Sequence, residues 1–175
     1  MMFVTLATTE SPKYKGFDRA CDLYTNAAIS VLGKVDNATE AAWLDYIDLL
    51  DTEQIVCNEK SLAAMNRILA LCEKNRRDLE VILFTKDMSE SCEYPADFIG
   101  FDVAGTYYTS ILTASAWRHM PERYARQVNR YGLFDTFKQA SDVAQYANAL
   151  TASEIEPEPP FVPVKVHILS NCFLI

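Results

Sequence analysis

Glycine and histidine are scarce in this chain, five and two residues among 175. No Gly-x-x-x-x-Gly-Lys or Gly-x-Gly-x-x-Gly loop is present, so a backbone cradle for phosphates is not expected. Gly-x-Ser-x-Gly and His-Glu-x-x-His are missing too, which removes the nucleophile elbow and the helical zinc-protease pair. His119 and His167 are far apart in sequence. One precedes an expected helix and the other falls on the polar side of an expected strand. Both read as surface or hydrogen-bonded histidines rather than bases or ligands. No run reaches the ~18 apolar residues that span a bilayer. The N-terminus lacks the basic and long apolar regions of a signal peptide. A cytoplasmic protein is expected.

Five cysteines are odd in number and never spaced Cys-x-x-Cys. That argues against a zinc site or a disulfide framework and for reduced core thiols. Cys92 sits among acids, which raise a thiol's pKa, the wrong direction for a nucleophile. Basic residues are also in deficit: 16 Lys and Arg against 24 Asp and Glu give a net charge of −8. Nucleic acid and anionic membrane are therefore excluded as expected partners. No cofactor is implied.

What is present is an ordinary globular balance, 50% apolar and 23% charged. A chain of this length reads as one domain over residues 1–175, able to bury roughly 70% of its unfolded surface. Its centre is the stretch 79–112. Leu79–Phe84 is a short apolar run, expected to be a strand covered on both faces. Ile99, Phe101 and Val103 alternate with Gly100 and Asp102, and a tight turn at Ala104-Gly105 is expected to lead into a third strand from Tyr107 to Leu112.

Around this centre the pattern predicts a first strand at Phe3–Thr8 and a helix from Phe17 stopped at Gly33. A second helix is capped by Asn37 with Glu40. Ile55-Val56-Cys57 reads as a short extended link. A third helix is capped by Asn58, with a seam of Leu62, Met65, Ile68, Leu69 and Cys72 and a basic end at Lys74, Arg76 and Arg77. Pro121 opens a fourth helix with Tyr124, Val128 and Tyr131 inward, Arg126 and Arg130 as an i,i+4 pair, and Gly132 as its stop. Thr136 and Gln139 form a capping-box pattern for a fifth helix through Leu150, whose start could also fall at Ser141. A stiff Pro/Glu-rich connector at 154–160 leads to a last strand. There Val162, Val164, Val166 and Ile168 alternate with Pro163, Lys165 and His167, predicting one covered and one wet face. The expected class is α+β: a mostly antiparallel sheet of about five strands packed against about five helices. Neither strand order nor oligomeric state follows from these patterns.

Two acidic surfaces stand out. From Asp36 to Glu53 there are six acids and no base. Glu40, Asp45, Asp48 and Asp51 lie on that helix, with Trp43 beside them. The loop from Asp87 to Asp97 adds Glu90 and Glu93. Asp45 and Asp48 without further ligands are no metal site. Such faces are either solvated or partner-binding. Arg123, Arg126 and Arg130 read as a solvated face. Cys172-Phe173-Leu174-Ile175 has the prenylation shape, but acidic and apolar residues precede it, so it reads as the end of an apolar strand.

Tyr94-Pro95, Ile99-Gly100-Phe101-Asp102-Val103, Tyr108-Thr109-Ser110-Ile111 and Asn129-Arg130-Tyr131-Gly132-Leu133-Phe134, followed by an alanine-rich helix, form a phrase covering about a third of the chain. It resembles small immunity proteins encoded beside bacterial polymorphic or contact-dependent toxins. The resemblance implies a non-enzymatic inhibitor that binds one cognate toxin, such as a basic nuclease, and carries over no catalytic residue. An acidic inhibitor would be attracted to such a partner over long range. The partner-binding residues expected on this reading are Glu40, Trp43, Asp45, Asp48, Asp51, Asp87, Glu90 and Glu93. Two alternatives stay open: a subunit of a larger assembly, and an enzyme whose site uses no recognisable motif.

Overall fold

The computed structural model of the chain describes residues 1–8, 55–71, 79–105, 111, 120–150 and 160–170. They form an α+β fold: a four-stranded antiparallel sheet, extended at one edge by a two-residue strand, with three helices, two of them long. The elements are β1 (Phe3–Thr8), β2 (Ile55–Val56), α1 (Glu59–Leu71), β3 (Leu79–Thr85), β4 (Ala96–Ala104), α2 (Glu122–Ala125), α3 (Phe137–Asn148) and β5 (Val162–Leu169). The sheet order is β2-β1-β3-β5-β4. The expected helices from Phe17 and Asn37, the basic end at Lys74–Arg77 and most of the 154–160 connector lie outside the described residues. No helix among the described residues is long and apolar enough to cross a membrane.

β3 occupies the middle of the sheet. Val81, Ile82, Leu83 and Phe84 are all buried, as an apolar run covered on both faces requires. β3 pairs with β1 from Thr8↔Leu79 to Phe3↔Phe84, and with β5 from Ile82↔Ile168 to Thr85↔Lys165. β5 also pairs with β4 along its whole length, Ala96↔Leu169 to Ala104↔Val162. Pro163 is tolerated in this interior strand because it lies beyond the last residue paired with β3.

Capping chemistry sets the helix starts. The Asn58 side chain accepts from the Ser61 amide at 3.0 Å and the Ser61 hydroxyl accepts from the Asn58 amide at 2.9 Å, which opens α1. Leu62, Met65 and Leu69 of its seam are buried. Thr136 and Gln139 form a complete capping box, so α3 starts at Phe137 rather than Ser141. Ala140, Val143, Ala144 and Ala147 bury its inner face. They join Val103, Ile111, Tyr124, Phe134 and Phe161 in one core cluster. A second cluster holds Ile82, Phe84, Ile99, Ala104, Leu133, Val164 and Val166.

Most of the expected strand from Tyr107 to Leu112 lies outside the described residues. The Val103 carbonyl accepts from the Ile111 amide at 2.8 Å, and Ile111 stands in a turn. Among the described residues β4 pairs with β5. Two expectations are corrected. The fourth helix is a single turn: Pro121 is its N-cap, and after Ala125 the chain leaves for bridges from Val128 and Phe101 to Phe134. Asn129 ends it, because its Oδ1 takes the Tyr131 and Leu133 amides at 2.9 and 3.2 Å. Arg126 accordingly pairs back to Glu122, while Arg130 stacks over Tyr131. Finally, His167 is not on a wet face. β5 is interior, and Leu83 and Phe98 flank the histidine on either side.

Candidate functional site

The acidic loop expected from sequence is built rather than loose. Thr85, the last residue of β3, accepts the Asp87 amide at 3.0 Å and donates its hydroxyl to Glu90 Oε2 at 2.6 Å. Asp87 Oδ1 accepts from the amide and the hydroxyl of Ser89, at 2.9 and 2.6 Å. Lys165 Nζ reaches across from β5 to the carbonyls of Met88 and Glu90 at 3.2 and 2.9 Å. The amino group of Met1 adds an ion pair to Glu90 Oε2 at 2.7 Å. Loop, β1 and β5 are thereby tied together.

These bonds set the charge states. Hydrogen bonds from the Ser89 side chain and amide hold Asp87 below the usual carboxylate range. For Glu90, burial pushes upward, but the bonds from the Met1 amino group and Thr85 outweigh it and the carboxyl ends below its ordinary value. Burial lowers Lys86.

Between this loop and the β2 edge lies a half-open cleft of about 440 Å³. Met1, Met2, Val56 and Cys57 line it from the strand side, and Ser89, Glu90, Ser91, Glu93 and Tyr94 from the loop side. Cys57 is fixed there by its amide, which donates to the Met2 carbonyl at 2.9 Å. Burial first, then the charges of Cys92 and Glu93, push the Cys57 thiol up to about 12. Tyr94 is also raised, by burial and then by Cys57, Glu59 and Glu93. Burial is the larger cause for both groups, and the carboxylate of Glu93 adds a negative charge close to each. At neutral pH the cleft holds a thiol and a phenol, neither activated as a nucleophile. A negative concave surface with apolar walls is suited to receive a cationic group on an apolar stem.

Among the residues expected to bind a partner, Glu90 and Glu93 line this cleft and Asp87 stands exposed beside it. Glu40, Trp43, Asp45, Asp48 and Asp51 lie outside the described residues. Glu90 is largely occupied with internal bonds, leaving Glu93 and Asp87 as the outward acids of the group. Among the described residues, no group of three or more His, Cys, Asp or Glu side chains could hold a metal ion.

Sequence reasoning missed an aromatic row on the outer strand. Phe98 and Phe137 are 47% and 48% exposed. Phe101 links them, its centroid 5.0 Å from that of Phe98 and 6.0 Å from that of Phe137. Strict alternation would put Phe98 and Phe101 on opposite faces. A β-bulge between Phe98 and Gly100 returns both to one face. Glycine at position 100 was the available signal for it.

No protein-family model matches this chain, and no curated protein or solved structure matches it significantly.

Proposed function

We propose that this protein neutralises a basic protein toxin by binding it, and that the Asp87–Asp97 loop and its cleft form part of the contact surface. The observation that carries the reading is the loop itself. Its acids are presented on a backbone already fixed by Thr85, Lys165 and Asp87, beside exposed apolar side chains of Met1 and Val56. A preformed surface loses little conformational freedom on binding, and a net charge of −8 draws a basic partner in. A specific interface needs about 800 Å² from each side. The acidic segment carrying Asp45, Asp48 and Asp51 is the second part assigned to it.

The test is coexpression with the polypeptide encoded by the neighbouring reading frame, scored by survival and by association rate. Asp87→Lys with Glu93→Lys should slow association roughly tenfold at low salt, and much less at high salt. Reversal of Asp45, Asp48 and Asp51 together tests that segment in the same way. Unchanged rates remove the corresponding surface from the interface; no binding by the natural chain removes the reading.

A second reading, a subunit of a larger assembly, is favoured by the exposed row of Phe98, Phe101 and Phe137. Concentration-dependent self-association lost in Phe98→Ser with Phe137→Ser would support it over the first.

A further inference from the structure

The outer strand is fastened unevenly along its length. Its inner half, Gly100 to Ala104, pairs with β5 and is clamped on its other side at Phe101. There the amides and carbonyls of Phe101 and Phe134 exchange two bonds of 2.8 Å. Its outer half, Ala96 to Phe98, lies before the bulge. Among the described residues its strand pairing is with Leu169, Ile168 and His167 of β5. Next to it, the Ser170 amide donates to the Pro95 carbonyl at 2.9 Å.

His167 sits where the outer half ends. It is 7% exposed, and its ring meets that of Phe98 edge to face at 5.5 Å and 66°. Its Nδ1 is buried with no hydrogen-bond partner among the described residues. Leu83 stands opposite it on β3 and Phe98 on β4, neither of them titratable. Lys165, two residues along β5 on the same face and opposite Phe101, is the charged group that bears on it. A protonated imidazole must donate from both nitrogens. Here one of them would be a cation's donor with no acceptor, in an apolar slot beside an ammonium group.

We propose that His167 is a pH-sensitive latch for the outer half of β4. Neutral, it seats Phe98 and keeps Ala96–Phe98 on the sheet. Protonated, it releases that segment at the bulge between Phe98 and Gly100 while Gly100–Ala104 stays paired. Burial, and then the charge of Lys165, hold the imidazole below its ordinary value, so the latch is closed at neutral pH. It opens as acidity rises past the usual histidine range, about pH 6.5 and below. Phe98 is already half exposed, so its departure uncovers less new apolar surface than that of a core ring. This device is independent of the partner assigned above.

The test is amide hydrogen exchange on the whole chain, read residue by residue as protection factors from about pH 7.5 to about pH 5. Protection at Asp97 and Phe98 should fall roughly tenfold more than at Phe101 and Val103. In His167→Gln, which is neutral throughout, that difference should not vary with pH. If the variant does not fold, the two halves of β4 in the natural chain still decide, together with the His167 ring-proton titration in the same samples. Equal loss in both halves, a His167 titration at or above the ordinary value, or the same local loss in His167→Gln would overturn the latch.

Discussion

Gly100 and Leu133 stand so close that a Cβ built on the glycine would lie 2.8 Å from the Cβ of the leucine. The carbonyl of Phe134 would be 2.9 Å away and the Asn129 amide nitrogen 3.1 Å. Gly100 also has φ +141, outside the range side chains favour. Strain and overlap act together, so Gly100→Ala should cost about 3 kcal/mol. Urea denaturation would show it as a lower midpoint. An unchanged midpoint would mean that the 129–134 turn shifts to make room.

The Thr136–Gln139 box closes the α3 N-terminus on both its side-chain and its backbone donors. Thr136→Ala should lower stability by about 1 kcal/mol. Thr136→Ser, which keeps the oxygen, should recover most of it. Thermal denaturation of the two variants side by side checks both statements.

Glu90 sets an acid limit. Its folded value lies below the ordinary carboxylate value despite burial, because the Met1 amino group and Thr85 bind the ionised form. The stability it contributes is therefore fully present above the ordinary value and is lost as pH falls through the folded one. In Glu90→Gln this component should be missing at neutral pH, and the decline on acidification should be shallower. Denaturation midpoints measured from neutral to acidic pH test this. Parallel curves for the two proteins would contradict it.

Cys57 should resist alkylation. With its thiol pushed up to about 12, the thiolate fraction near pH 8 is very small. Iodoacetamide should modify it roughly a hundredfold or more slowly than an unperturbed cysteine. Peptide mapping after timed labelling gives the rate. Glu93→Gln should speed it slightly, because Glu93 is the weakest of the causes that raise the thiol.

Asn148 joins the end of α3 to the start of β5. Its side chain accepts the Phe161 amide at 2.7 Å and donates to the Phe161 carbonyl at 2.9 Å. Asn148→Ala leaves both backbone groups without that partner, a loss of about 2 kcal/mol. Calorimetry would read it as a lower melting temperature.

Elements specified by local chemistry were legible in the sequence. The apolar run of β3, the short strand β1 and the caps at Asn58 and Thr136 each depend on neighbours a few residues away. What depends on distant partners was not. The one-turn α2 follows from Asn129 taking amides of its own turn and from Phe134 bridging to Phe101, and neither appears in helical periodicity. The burial of His167 follows from strand order, which alternation within β5 does not contain. The phrase Ile99–Val103 with Asn129–Phe134 marked one contact. Its two halves are the bulge and the turn that packs on it, with Asn129 Nδ2 donating to the Ile99 carbonyl at 2.8 Å. At the site, Glu90 and Glu93 were visible as charges. The use of Glu90 was not, because Lys165 and Met1 reach it from 75 and 89 residues away.

The place of β5 bears on how the chain reaches this state during synthesis. Residues 79–85 and 96–104 emerge from the ribosome well before 162–169, yet in the sheet that later strand lies between them. Until it arrives, each presents an unpaired edge, and the nascent polypeptide is open to pairing with neighbours. A late insertion between two waiting strands closes both edges in one event, so assembly of this sheet should be slow and strongly cooperative.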